Sequence, residues 1–566
     1  MAPRVVESHN AYNLPDVLHR NAMRSWRVRR IGAGAAMTVF CALFASVCVW
    51  GQASSEASGD GVDSGAGGSR VLLVLPFDNR TGQPNLEWMR EAAAEILSSR
   101  FASAGFQPTS RADRMYALDH LGLPQGFQPS RASAIKLAQT LDADSIVVGS
   151  YTTDGNGIVA VATLVDVPQL RMLPEVSARG EMKDLIAVFG ELAWKLTKQL
   201  DPNFNVAEQT FAAAGNGIPL TAFEQYIRGI TEPDQAERLR HLQTAVQLNP
   251  GFGQAWMALG REDYKGQQYQ DAAEAFAKVD HNGPDGLEAG FYRGLSLMFS
   301  GDYPHAEEAF ADVARVLPLA EVVNNEGVAE SRQGKDGISL FIQAAAADPN
   351  AADYHFNLAV SLKHEGNLPG ALNELAQCLK LRPSDSEAQS LNDAWKGKPG
   401  TMGTDGADPA ADPLERIVRT FDESAFRQAA AMLDQMNAGR LTALMPRERA
   451  QRLCTQAKSF LDRGLLLEAE RLYQDAAAAD SASAQAHAGL AEVRERSGDA
   501  DAARKEAHAA LELGSSADAY LVLAQLDFAA GSLDEADTEA EDALKLDPAN
   551  RVAQDLMRQI EAKRGR

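Results

Sequence analysis

The stretch RVLLVLPFDNRTGQP (70–84) has the outline of an anion site: an apolar run, a polar loop containing glycine, then the start of a helical pattern. A phosphate loop on that plan needs closely spaced glycines, so that successive main-chain N–H groups can reach the anion. Here Gly82 is the one glycine between Leu75 and the helix, and Pro76 removes a donor. Neither GxxxxGK[ST] nor GxGxxG occurs in the stretch. It reads as a strand-to-helix connection. Other chemistry fails for comparable reasons. The ten histidines form no HExxH and no Cys/His group at zinc spacing, and there is no CxxC. No Gly-x-Ser-x-Gly elbow supports a serine nucleophile. Carboxylate pairs such as Glu307-Glu308 belong to solvated helix faces, without the apolar setting that raises one pKa for acid catalysis. Cys378 reads as a core thiol, and His355, His364, His487 and His508 fall at scattered helical places. No catalytic residue, metal or cofactor is expected. An enzyme would have to reveal itself as a buried carboxylate or histidine cluster where domains meet.

Around that stretch the pattern is α/β. Val71–Leu75 is a continuous apolar run suited to a buried strand. In 85–105, Leu86, Met89, Ala93, Ile96, Leu97 and Phe101 recur at three- and four-residue steps, one helical face. Residues 144–155, 157–167 and 172–182 are strand-like, with Asp154–Gly157 as a hairpin turn, and 184–200 closes with a helix. Helices against a mixed sheet over 70–205 are expected. The set Leu75, Pro76, Phe77, Asn79, Thr81, Gly82, then Gly149, Ser150 and Tyr151, is similar to the TolB-like amino-terminal domain of bacterial tetratricopeptide proteins. That resemblance implies an envelope or regulatory module, with no catalytic residues to carry over.

Beyond it the chain is periodic. Prolines 250, 284, 318, 349 and 383 are separated by 34, 34, 31 and 34 residues. Trp256, Leu259, Gly260, Ala272, Phe276 and Pro284 occupy the consensus places of the tetratricopeptide repeat. Gly294, Ala306, Phe310 and Pro318 recur one period later, and Leu358, Ala359, Ala371, Leu375 and Pro383 recur again. Small residues let paired helices approach, large ones fill the gap, and proline stops the second helix. A first array is expected over 220–396, a linker over 397–413, and a second array over 414–566. The second would begin with a degenerate helix pair (412–437) and end in a polar capping helix (550–564). Residues 220–566 thus resemble the tetratricopeptide family, and the expected fold class is an α/β TolB-like domain followed by an all-α tetratricopeptide solenoid.

Residues 31–50, IGAGAAMTVFCALFASVCVW, carry no charge and follow RSWRVRR. At 1.5 Å per residue they could cross a hydrocarbon core of about 30 Å. Arginines on the leading side alone put residues 1–30, a basic tail, in the cytoplasm. One N-terminal transmembrane helix is expected, followed by a Gly/Ser-rich flexible linker (51–69). The alternative is a signal segment cleaved near Ala53, releasing the chain to the periplasm. The net charge of −23 becomes more negative once that basic tail is set aside, which argues against nucleic-acid partners.

The first helices of the repeats should line a concave face. Counting back from the prolines places Met257, Arg261 and Tyr264, then Phe291, Tyr292, Leu295 and Met298, then Phe356 and Asn357 on that face. Repeats of this family that grip a C-terminal carboxylate use Lys and Asn there. With Phe, Met and Leu in those places, that clamp is not expected. The expectation is an aromatic and Met-rich groove for an apolar peptide or helix, with inter-repeat packing or a face occluded where the two arrays fold together as the alternative, on a non-enzymatic scaffold in the bacterial inner membrane with its bulk in the periplasm. The alternative is an envelope sensor whose TolB-like domain binds a small ligand beside Asn79 and Arg80.

Overall fold

The structure, a computed structural model, describes residues 71–124, 130–215, 217–397, 413–421, 426, 436 and 439–565. The basic tail, transmembrane segment and flexible linker expected over 1–69 lie outside the described residues. Among those described, no helix is long and apolar enough to cross a membrane.

Alternation of apolar side chains builds the α/β domain. Strand β1 (Val71–Val74) sends Leu72 and Val74 to one face of a mixed sheet and Leu73 to the other. β1 lies parallel to both β3 (Gln107–Pro108) and β4 (Ser145–Asp154). β4 turns back antiparallel on β5 (Gly157–Asp166), Asp154 opposite Gly157, as the hairpin signal required. Short strands β2 (Asp78–Asn79) and β6 (Arg171–Met172) pair with β4 and β5, and β7 (Val176–Glu181) also pairs with β5. Helices α1 (Met89–Ser103) and α4 (Leu185–Leu200) cover the first face; α2 (Arg111–His120) and α3 (Arg131–Thr140) cover the second.

The motif in the strand-to-helix loop is spent on architecture. Asn79 donates to Gln83 O (3.1 Å) and Glu87 (3.0 Å), and its Oδ1 accepts from Thr81 N (3.0 Å) and Oγ1 (2.6 Å). Gly82 takes the left-handed conformation (φ +71°) that completes the turn. A Cβ on Gly149 would lie 2.3 Å from the Phe77 ring, so the glycine is what lets that ring in. Tyr151 Oη reaches across to Leu86 O (2.8 Å).

A short helix α5 (Glu208–Ala213) leads into the helical region. The first part runs α6 (Leu220–Thr231), α7 (Gln235–Leu248), α8 (Gly253–Lys265), α9 (Tyr269–Phe276), α10 (Gly286–Ser300), α11 (Tyr303–Val316), α12 (Ala320–Arg332) and α13 (Ile338–Ala347). It ends with α14 (Ala352–His364), α15 (Leu368–Leu381) and α16 (Ser386–Trp395). The second runs α17 (Pro446–Asp462), α18 (Leu466–Ala479), α19 (Ala484–Arg496), α20 (Ala500–Leu513), α21 (Ala517–Ala530), α22 (Leu533–Leu546) and α23 (Arg551–Arg564). Side chains of Asp234, Asp302, Asn367, Asp385, Ser483, Asp499, Ser516 and Asn550 cap helix starts by accepting from the N–H three residues on.

Within successive pairs of the first part, glycine meets a ring. A Cβ on Gly260, Gly294 or Gly327 would come within 2.8, 2.6 or 3.0 Å of Phe276, Phe310 or Phe341. The sheet's first face is continuous with this packing: Phe223, Tyr226, Ile227, Leu242, Phe252 and Leu259 share one buried cluster with Leu72 and Phe189. The second part folds back on the connection after α4. Glu470 accepts from Ala207 N (3.0 Å), Gln474 donates to Asn205 O (3.1 Å), Arg471 to Ser103 O (3.1 Å), and Arg463 pairs with Asp280 (3.1 Å).

One stretch departs from the helical pattern. Where 412–437 reads as a helix pair, residues 413–421 carry neither helix nor strand. They lie along the first array instead, because side chains there offer their main chain and Arg416 better partners than a helix of their own.

Gly294→Val should cost about 1–3 kcal/mol by overpacking against the fully buried Phe310. Gly253→Ala, whose Cβ would meet nothing within 4 Å, should be neutral within about 0.5 kcal/mol. Thermal melting of the two variants beside wild type checks both.

Candidate peptide groove on the first array

The face in question is made by the first helices of successive pairs: α10, α12 and α14, with the start of α16. Three asparagines there, Asn324 and Asn325 on α12 and Asn357 on α14, are fully buried. Asn357 Oδ1 accepts from the Arg416 N–H (2.6 Å) while its Nδ2 donates to the Arg416 carbonyl (2.8 Å). Asn325 repeats the pattern on Val418, accepting from its N–H (2.9 Å) and donating to its carbonyl (2.8 Å). Asn324 ties the two together, donating to Arg416 O (3.1 Å) and Asn325 Oδ1 (3.2 Å) and accepting from Asn357 (2.8 Å). Alternate residues of the segment thus find side-chain amides where a sheet edge would offer main chain.

Side chains of the segment enter separate sites. Arg416 reaches Asp353 (2.9 Å), Asp385 (2.6 Å) and Glu387 (2.7 Å), and its guanidinium stacks 3.6 Å above the Phe356 ring centroid. Glu415, almost wholly buried, pairs with Arg332 and accepts from Ser331 Oγ; Arg332 also donates to its carbonyl (2.9 Å). Ile417 packs with the cluster of Phe291, Phe310 and Phe341, while Val418 packs with Val323 and Tyr354. Phe421 lies 5.6 Å from Phe291 and 6.3 Å from Tyr292, centroid to centroid. The Arg416 hydrogen bond holds the Asp385 carboxyl below its ordinary value. Burial alone would raise Asp353, but hydrogen bonds from Arg382 and Arg416 outweigh it and hold that carboxyl low as well.

The nine residues placed on this face by repeat register divide into two sets. Phe291, Tyr292, Phe356 and Asn357 meet the segment. Met257 is buried among Ala272, Phe276, Val279 and Ala289, and Leu295 and Met298 are buried in the array's core. Met257 is thus a packing residue between repeats, whereas Leu295 and Met298 belong to the same buried cluster as Ile417 and Phe421. Arg261 bridges α8 to α10 through Glu288 (2.6 Å), and Tyr264 belongs to a ring cluster with Tyr269, Tyr292 and Phe299. The groove is therefore not an open Met-rich trough. Sequence reading missed Asn324, Asn325, Asp353 and Asp385. An asparagine clamp is present after all, closed on an internal main chain rather than a terminal carboxylate.

A second concavity, of about 270 Å³, opens between the α/β domain and α6–α7 and is lined by Glu87, Arg90, Glu91, Arg228, Thr231 and His241 among others. Neither Asn79 nor Arg80 lines it. Its charges are already engaged: Arg90 with Glu87 (2.7 Å), Glu91 with Arg111 (3.4 Å) and Arg114, Arg228 with Glu224 (2.7 Å). His241 meets Gln225 (2.6 Å), and Thr231 Oγ1 donates to Ile227 O (2.8 Å). Nearby Glu95 is raised to about 7, by burial first and by Glu91 second. This seam is an ion-pair network in which the one hydroxyl of those lining residues, Thr231, is already committed. Burial pushes the Cys378 and Cys454 thiols up to about 11, as suits core packing.

The tetratricopeptide repeat family model matches residues 328–386 and 454–518, one span in each helical part. The chain carries tetratricopeptide repeats. Solved structures that resemble it include YrrB, described as a tetratricopeptide protein with an unusual peptide-binding site (19% identity over 34% of this chain and 95% of that one, TM-score 0.28). MamA from Desulfovibrio magneticus RS-1 is 20% identical over 31% and 99% (TM-score 0.27). The LpoB C-terminal domain from Salmonella enterica is 23% identical over 21% and 90% (TM-score 0.18). No curated protein matches the chain.

Asn357→Ala removes both bonds to the Arg416 peptide group and should cost about 1–3 kcal/mol, read as a lower melting temperature and faster amide exchange at 416–418. The pH dependence has a definite sign. Asp353 and Asp385 have folded values below the ordinary 3.8, so their contribution is present above that value and lost as pH falls through the lower folded ones. The difference in melting temperature between wild type and Arg416→Gln should be constant from pH 5 to 8 and shrink below about pH 4.

Proposed function

We infer that this chain is a non-enzymatic scaffold that holds protein partners through its tetratricopeptide arrays. It is anchored by residues 31–50 in a bacterial inner membrane, with a TolB-like domain and both arrays in the periplasm. The observation that carries the reading is the asparagine clamp on Arg416 and Val418. A row of buried amides aimed at alternate peptide groups is a device for holding an extended chain. It recognises main chain, and it needs no reactive group.

Support for the anchor is the charge-free run behind RSWRVRR. Support for the TolB-like assignment is the motif from Leu75 to Gly82 with Gly149 and Tyr151, in which Phe77, Asn79, Thr81, Gly149 and Tyr151 each have a packing or hydrogen-bonding task. The sensor alternative draws nothing from Asn79, whose amide is committed to its own loop.

Two measurements test the reading. Protease added to spheroplasts should degrade the arrays while intact cells protect them, and the chain should sediment with membranes. A photo-crosslinking residue at Tyr292, on the groove, should give a discrete adduct with an envelope protein, whereas one at the exposed Val316 should not. A protected, soluble chain would refute the location. Identical adducts from both positions would refute the groove as the binding surface.

A further inference from the structure

We propose that the first array is a receptor for extended peptides of the pattern Glu-Arg-aliphatic-aliphatic-x-x-aromatic on a partner protein, and that residues 415–421 of this chain are a resident copy of that ligand. This rests on the scaffold reading and narrows it to one groove.

Four observations converge. The segment is held like a ligand: among the described residues, no main-chain-to-main-chain hydrogen bond reaches 413–421, and the N–H and carbonyl of both Arg416 and Val418 are satisfied by side chains of the receptor face. Its sites are chemically distinct along the strand. Glu415 meets Arg332 and Ser331, Arg416 meets three carboxylates and a ring, and Phe421 meets Phe291 and Tyr292. The charge is complementary, because Asp353, Asp385 and Glu387 present three carboxylates of which the array's own Arg382 pairs with two, leaving room for the second cation that Arg416 supplies. Finally, the segment is covalently continuous with the chain whose face it occupies, which sets an effective concentration on the order of millimolar. Against an intrinsic dissociation constant of about 10 µM that masks the groove about 100-fold from a free peptide. A partner must carry the same pattern and displace the resident copy.

The test uses the full chain in detergent and a fluorescein-labelled peptide DPLERIVRTF, the sequence of residues 412–421. In the protein, Arg416→Asp puts a fourth acid against the pocket and should eject the resident segment, leaving the receptor residues untouched. Arg416→Gln is a milder second variant should the first lose stability; circular dichroism and melting verify the fold of each. Expected is weak binding to wild type, and binding on the order of 10- to 100-fold tighter to either variant. A peptide with its own arginine changed to aspartate should bind none of them, and Asn325→Ala added to Arg416→Gln should abolish the gain.

Equal affinity for wild type and variants would overturn the masking. Failure of folded variants to bind the peptide would overturn the receptor. If the Tyr292 adduct persists in that case, only this inference falls; if it is lost too, the scaffold reading falls with it. Molar mass by light scattering closes the remaining route: a wild-type dimer that becomes monomeric in Arg416→Gln would assign the groove to a second copy and overturn the partner claim.

Discussion

Close approach of paired helices is the constraint on which the first array rests. Where Gly260, Gly294 and Gly327 face Phe276, Phe310 and Phe341, no Cβ could fit without moving a buried ring. That contact fixes the separation within each pair, and its recurrence at about one repeat fixes the pitch of the stack. The pitch in turn brings Asn325 and Asn357, on different first helices, into step with alternate residues of one segment. A hydrogen bond tolerates only a few tenths of an ångström of misplacement, so an error in helix spacing would leave one amide unpaired. Backbone recognition in the groove is thus a consequence of packing several ångströms behind it.

The α/β domain shows the same economy in a different form. A loop resembling the start of a nucleotide site is closed on itself by Asn79, Thr81 and Gly82, and its strand is locked by Phe77 entering over Gly149. Electrostatics at its junction with α6–α7 follow suit. Arg90, Arg111, Arg114 and Arg228 each meet a carboxylate on their own side of the junction, so these charges are already paired. A buried apolar cluster running from Leu72 to Leu259 makes the domain and the first repeats one packed body.

Much of this was legible in the sequence because it is periodic or local. The glycine–phenylalanine pairs recur at repeat spacing, and Asp154–Gly157 announces its own hairpin. Repeat register also reached Phe291 and Asn357. Asn324 stands 33 residues from each, at the same place in the intervening repeat, and was the available signal for the clamp. What register could not tell was whether an apolar side chain at such a place faces a groove or a neighbouring helix, hence Met257. The course of 413–421 was illegible for a plainer reason. Its local composition allows a helix, and only long-range partners at 324–325, 353–357 and 385–387 decide against one.

The way the second array clasps the segment after α4 bears on how the chain comes to be folded. Glu470, whose side chain is fully buried, is matched by Arg494 and by the N–H of Ala207, and Ser497 meets Thr210. Glu470 and Ala207, like Ser497 and Thr210, lie more than 260 residues apart. A chain made from its N-terminus onward completes the α/β domain and the first repeats long before Glu470 exists. Until then Ala207 and Thr210 depend on water, and the side of the α/β domain they flank stays uncovered. Final closure is therefore a late, long-loop event, slower than the local stacking of repeats on either side of it. It is the step at which an interrupted or truncated chain would be left with an exposed seam for proteases and chaperones to find.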